Sequence, residues 1–327
     1  MTGGLCVVHL VRVGEPQASL RRLLDSYTEH PAGAEHRLVL LYKGFEEDAD
    51  ALAPYRAAAR DVAHEELHVS DEGFDLTAYR TSAERLRAER YCFLNSHSRI
   101  LVDGWLGFLQ AALASDGVGV AGASGSWASQ ASLARLMLRL PGPYSGLIDR
   151  ASMTRVLKDL QGATDPQGGD GGVQPSTGPG RARAAAAMLR SVPHAMRLTT
   201  AFAPFPAHHL RTNAFIVRHS DFIALDGFAV ASKLEAQTVE GGRRGMTRQL
   251  AERGLKAVVV DRAGRAYDPE DWPGSATLWQ ERQQGLMVAD NQTELYERGD
   301  GDRRVALSRY AWGARAHPDP STPEGRR

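Results

Sequence analysis

Cysteine is scarce in this chain: Cys6 and Cys92 are its two examples among 327 residues. Both lie inside apolar runs, LCVVHLV and RYCFLN, which reads as two buried thiols in a reducing compartment, with a disulfide as the alternative. An excess of one charge is also lacking, since 39 basic and 39 acidic side chains cancel formally. No net field therefore recruits nucleic acid or an anionic membrane, although a local basic patch is compatible with that balance. No window approaches the ~18 apolar residues of a membrane span. The opening MTGGLCVVHLVRV has no basic segment ahead of its short apolar stretch, which argues against a signal peptide. The expectation is a soluble, cytoplasmic protein, with peripheral membrane association left open. No internal repeat is visible. What is present is an ordinary globular composition, 43% apolar and 24% charged, in a length that suits one large domain or two modest ones.

Two hydrophobic periods alternate through the first half. LCVVHLV and RLVLLY (residues 5–11 and 37–42) are continuous apolar runs, as strands buried on both faces require. Between them Leu20, Leu23, Leu24 and Tyr27 fall at helical spacing behind Pro16. A helix over 49–59, a strand over 66–70 and a helix opened by Asp75 as its cap follow. Then come a strand over 90–95, a helix over 105–113 and a strand over 117–122. Such alternation means βαβ units, hence an α/β fold with a mostly parallel, twisted, Rossmann-like sheet covered on both faces.

The middle differs. Residues 133–160 look helical, with Met137, Leu138, Leu140, Leu147 and Met153 as apolar contacts. In the segment 162–180, ten of nineteen residues are Gly or Pro. It reads as a disordered surface loop because it cannot bury enough to offset its ordering entropy. A helix near 181–191, a strand over 211–218, a helix capped by Ser220, a helix over 243–253 and a strand over 256–260 complete the pattern. The polar end, AHPDPSTPEGRR, reads as a frayed tail.

In an open parallel sheet ligands bind beyond the carboxyl ends of the strands. Those positions hold Arg12, Gly14 and Glu15; Lys43 and Gly44; the stretch DEGFDLTAYR; Asn95, Ser96, His97 and Ser98; and ASGSWAS. Small polar groups, a few cations, an imidazole and an indole suit a nucleotide diphosphate and a sugar better than an apolar ligand.

The run FDLTAYRTSAERLRAERYCFLNSHSRILVDGWLGFL (residues 74–109) resembles the core of family 2 type glycosyltransferases of the GT-A fold. KLEAQTVEGGRRGMTRQLAERGLKAVVV (233–260) resembles their carboxylate-bearing loop, helix and final strand. The resemblance implies a nucleotide-sugar-binding half over 1–125, an acceptor-side half over 126–298 and a C-terminal tail over 299–327. It also implies a nucleotide-diphosphate sugar donor and a hydroxyl acceptor, whether glycan, lipid-linked or small-molecule. Where the family carries a metal-binding aspartate turn, this chain has Asn95-Ser96-His97-Ser98. Mn²⁺ and Mg²⁺ favour hard oxygen ligands, and this turn offers no carboxylate. Three readings stay open: His97 as a metal ligand helped from elsewhere, metal-free neutralisation of phosphates by His97 and Arg80, or a polar turn with lost chemistry. Metal independence is the expectation.

Donor contacts are expected from Arg12, Asp75, Arg80 and residues 95–98. Arg80 reads equally as the partner of Glu84 in a helical ion pair. Asp71 and Glu72 read as turn residues. The resemblance makes Glu240 the general base for an inverting transfer, which needs one carboxylate near the acceptor hydroxyl; Glu235 is the fallback, and helix capping the plainer role. Arg211, Thr212 and Asn213 are candidates for the acceptor side. Trp127, Trp272 and Trp279 are candidates for sugar stacking, with core packing the alternative. His208-His209 reads as surface, and Asp290 or Asn291 as a helix cap. The rival functions are a decayed, non-catalytic sugar-binding module and a nucleotidyltransferase.

Overall fold

The computed structural model describes residues 4–45, 49–164, 193 and 195–317. The strands are β1 (Leu5–Arg12), β2 (Arg37–Lys43), β3 (Glu65–Val69), β4 (Arg90–Leu94), β5 (Arg99–Ile100) and β6 (Val118–Gly122). They are followed by β7 (Gly125–Ser126), β8 (His209–Leu210), β9 (Ala214–Arg218), β10 (Lys256–Val260), β11 (Ala266–Tyr267) and β12 (Val288–Ala289). Eight of them form one mixed sheet in the order β11-β10-β6-β9-β4-β1-β2-β3. β3, β2, β1 and β4 run parallel, as do β6 and β10. β9 is antiparallel to both β4 and β6, and β11 to β10.

Helices α1 (Gln17–Glu29), α2 (Ala49–Ala59), α3 (Asp75–Arg85) and α4 (Trp105–Ala114) make the crossovers of the first half. The apolar strand runs explain why both faces are covered. Along β1 the side chains alternate: Leu5, Val7 and Val11 pack with α1, α2 and α4, whereas Cys6, Val8 and Leu10 pack with α3 on the other face. Two cores thus share one sheet, and each fully buried Val or Leu stabilises it by roughly 1.5–3 kcal/mol. Phe93 of β4 is the hub of the second core, 4.6 Å from the Tyr79 ring and 5.2 Å from the Phe215 ring. Cys6 and Cys92 are free, buried thiols on opposite faces.

Residues 133–160 are not one helix. α5 (Gln130–Met137) and α6 (Arg150–Thr164) are separated by LRLPGPYSG, whose prolines and glycines cannot sustain helical hydrogen bonding. Leu140 in that break is exposed instead of packed. The expected loop overlaps the end of α6 over its first three residues; the rest of it, and the expected helix over 181–191, lie outside the described residues. Next come α7 (His219–Ile223), α8 (Lys233–Gly241), α9 (Met246–Glu252), α10 (Asn291–Glu297) and α11 (Gly301–Trp312). Arg218, not Ser220, occupies the N-cap of α7 and makes no side-chain cap bond. The boundary placed at 299 is also corrected, because α11 buries Ala306, Leu307, Ala311 and Trp312 in the second core. That helix has two apolar turns facing α6, and polar residues elsewhere hid it. Among the described residues no helix is long and apolar enough to cross a membrane.

Candidate functional site

The chain leaves the sheet in opposite directions on either side of β1, so the crevice between β1 and β4 lies where the strand order reverses. Two turns line it. After β1, Gly14 adopts φ 86°, which suits a residue without Cβ, and Glu15 follows. After β4 stand Asn95, Ser96, His97 and Ser98. Across the crevice His97 Nε2 lies 3.5 Å from Glu15 Oε1. Burial alone would push His97 toward neutrality, but the hydrogen bond and charge of Glu15, with Asp290 behind, raise its pKa. The same hydrogen bond lowers the pKa of Glu15, against the opposing effect of burial. His97 and Glu15 therefore favour each other's charged forms, and Glu15 Oε2 is buried with no hydrogen-bond partner. His9, beneath them in β1, is kept neutral: burial and then the nearby His97 charge lower its pKa to about 3.

Beside this pair, Lys43 is fully buried with Nζ 2.7 Å from Asp71 Oδ1, and Arg12 Nε is 3.6 Å from the same oxygen. Asp75 is partly buried, and burial raises its pKa while Arg12, Lys43 and His97 oppose the rise. It is the first residue of α3, whose N-cap is Phe74 with no side-chain cap bond. Asp75 is therefore not the cap, and its carboxyl faces a cationic neighbourhood.

The rest of the turn over 95–98 is directed inward. Asn95 Oδ1 accepts from His97 N (3.1 Å) and Ser98 Oγ (3.0 Å), an arrangement by which asparagine closes a turn on itself. Asn95 N and Ser98 Oγ both donate to Asn213 O at the start of β9, at 3.0 and 3.1 Å. Asn213 Oδ1 accepts from Ser124 Oγ, which also accepts from Arg211 Nη1. Arg211 Nη2 is 2.5 Å from Asp290 Oδ2, in a pair buried on both sides. Asp290 also caps α10, in a capping box with Thr293. Asn213 and Arg211 are thus framework residues that tie β4, β6, β9 and α10 together.

Glu240 sits in the last turn of α8, not ahead of a helix. A carboxylate there opposes the helix dipole, so the capping alternative does not account for it. Its Oε1 accepts from Thr212 N (3.0 Å) and Thr212 Oγ1 (3.1 Å), and Oε2 has no hydrogen-bond partner among the described residues. Glu240 lines a cavity of ≈670 Å³ with His209, Arg211 and Gln237 at its polar end and Leu133, Leu278 and Trp279 among its apolar walls. His209 is therefore not simple surface. Burial lowers its pKa, with Glu240 opposing.

No family model matches the chain, and a search of the curated proteins finds no significant match. The site must be judged on its own geometry.

On that geometry the expected residues separate. Arg12, Asp75, Ser96 and His97 belong to the crevice, and Thr212 and Glu240 to the cavity rim. Arg80 does not join them: its guanidinium bonds Glu84 (2.7 Å) and the carbonyls of Phe222 and Leu225 at the end of α7. The ion pair with Glu84 weighed in the sequence reading is formed. Glu235 is engaged at the start of α8, accepting from Ala231 N at 2.7 Å. Trp127 and Trp272 are core residues with their indole N–H groups bonded to Pro269 O and Tyr267 O; Trp279 is likewise tethered to Gln292 O but reaches the cavity wall. Among the described residues no three His, Cys, Asp or Glu side chains converge as a metal site. Three neutral polar side chains and a histidine already paired with Glu15 do not fit Mg²⁺ or Mn²⁺, which favour several hard oxygen ligands. Glu15 and Asp290 carry more of the site than the sequence suggested. Glu15 was visible only as a strand-end residue, and Asp290 only as a cap.

Proposed function

We propose that the chain is a glycosyltransferase of the GT-A type, which takes a nucleotide-diphosphate sugar in the β1–β4 crevice and transfers the sugar to an alcohol in the adjoining cavity. The observation that carries this reading is Glu240, a carboxylate oriented through one oxygen by Thr212 on the wall of a ligand-sized cavity. In an inverting transfer the acceptor hydroxyl oxygen bonds to the anomeric carbon as the bond to the diphosphate breaks, and the hydroxyl proton passes to the carboxylate. A base earns its effect only within hydrogen-bond reach of that hydroxyl, and Oε2 of Glu240 has the capacity left for it. The departing nucleoside diphosphate gathers charge, so cations preorganised near it lower the barrier. Arg12 and, when protonated, His97 are the groups for that role. The apolar walls suit a lipid-linked or small-molecule acceptor.

A thermal-shift screen of nucleoside diphosphates with and without Mn²⁺ tests the donor side, because a ligand that binds only the native state raises its apparent stability. Stabilisation that survives chelation and is lost in Arg12→Ala supports the proposal; no shift with any diphosphate contradicts it. The inward engagement of Asn95 and Ser98 favours a second reading, a non-catalytic nucleotide-sugar-binding module. Donor binding without donor hydrolysis or transfer to any alcohol would decide for it.

A further inference from the structure

A second cleft, of ≈990 Å³, opens at the other end of the sheet, at the first residues of β1, β2 and β4. Its lining is rich in guanidinium groups: Arg37, Arg85, Arg87 and Arg90, against one carboxylate, Glu35. The α4 side presents Gly107, Gln110, Ala111 and Ala114, spaced on one helical face, and the small Gly107, Ala111 and Ala114 leave the room. Gly107 cannot be enlarged freely, since a Cβ there would meet Gly33 O at 2.8 Å.

Among the described residues only Arg37 of these four has a carboxylate partner. Arg37 pairs with Glu65 at 2.8 Å and donates to Arg87 O. Arg85 donates to His68 O. The guanidinium groups of Arg87 and Arg90 have no hydrogen-bond or carboxylate partner among the described residues, and Arg90 Nε is buried without one. A buried N–H left unpaired is costly, and the three guanidinium charges without a carboxylate partner repel each other around one cleft. An anion held between them relieves both effects. Guanidinium forks match phosphate oxygens in geometry as well as charge.

We propose that this cleft is a second binding site, separate from the β1–β4 crevice, for a phosphate-bearing ligand. The recognised chemistry is the phosphate ester, presented by a soluble phosphorylated compound or by a phospholipid headgroup.

The test measures inorganic tripolyphosphate binding by calorimetry and capture on phosphatidylglycerol vesicles, with phosphatidylcholine vesicles as the control. Arg90→Gln, Arg87→Ala and Gln110→Glu are each compared with the unsubstituted chain and with Arg12→Ala. Arg87 is exposed and Gln110→Glu leaves every arginine in place, so the test stands even where Arg90→Gln unfolds. The expected result is a binding step that persists in Arg12→Ala and that the three cleft variants weaken at least tenfold. Tripolyphosphate binding without vesicle capture assigns a soluble ligand; vesicle capture alone, with the same sensitivity, assigns the headgroup. The proposal is overturned if neither probe binds, if the cleft variants bind as tightly as the parent, or if Arg12→Ala abolishes binding.

Discussion

The turn after β4 and the rim around Glu240 are both polar and both at the carboxyl end of the sheet, yet they use their side chains differently. Asn95 and Ser98 spend their hydrogen-bonding capacity on their own turn and on Asn213. Glu240 spends one oxygen on Thr212 and keeps the other. Satisfied polar groups build a frame, whereas a carboxylate that is held but not used up can act on a ligand. The distinction explains how a turn of neutral side chains keeps its shape through its own hydrogen bonds.

The contrast can be broken in order of expected effect. Asp290→Ala should cost most, because it leaves Arg211 charged in a buried setting and removes the cap of α10; breaking such a pair costs about 3–5 kcal/mol. Denaturant unfolding measures it, and a loss below about 1 kcal/mol would show that the pair is not part of the frame. Ser98→Ala should cost about 1–3 kcal/mol, as Asn95 and Asn213 lose a buried donor, with nucleoside diphosphate affinity nearly unchanged. Affinity falling more than stability would move Ser98 to the ligand side of the comparison. Thr212→Val should leave stability within about 1.5 kcal/mol but slow transfer, since Glu240 Oε1 loses its hydroxyl donor; unchanged transfer would show that this contact does not position the carboxylate.

The smallest effect is the pH dependence of the Glu15–His97 pair. His97 has a raised pKa, so its contribution is complete below its ordinary value and fades as pH rises through the folded one. Glu15 has a lowered pKa, so its contribution is complete above its ordinary value and fades as pH falls. The stability difference between the parent and His97→Gln should therefore be greatest from about pH 4.5 to about pH 6.5 and shrink on either side. A difference that stays flat from acid to alkaline pH would mean the two side chains do not share charge.

Much of the frame was legible in the sequence because the strands are buried on both faces. β1, β2 and β10 are continuous apolar runs, and the crossover helices between them repeat at 3.6. The two-residue strands β5, β7, β8, β11 and β12 are too short for any period to show, and α11 was concealed by a largely polar sequence. The candidate site was legible in outline only. Strand-end positions pointed to Arg12, Asp75 and His97, which the fold places around one crevice, and the resemblance pointed to Glu240, which lines the cavity. The partners that decide what each group can do are remote in sequence: Glu15 from His97, Thr212 from Glu240, Arg211 from Asp290. Arg80 shows the converse, a plausible phosphate ligand whose donors close the end of α7.

The central claim is that Glu240 is held for chemistry and not for structure. Glu240→Gln keeps the size and the bonds to Thr212 while removing basicity, so the direct measurement is its single-turnover transfer rate beside its nucleoside diphosphate affinity and its melting temperature. The account predicts a rate lower by ~10² to 10⁴, with affinity and stability close to the parent's. A rate near that of the parent, or a loss that tracks unfolding, would contradict it.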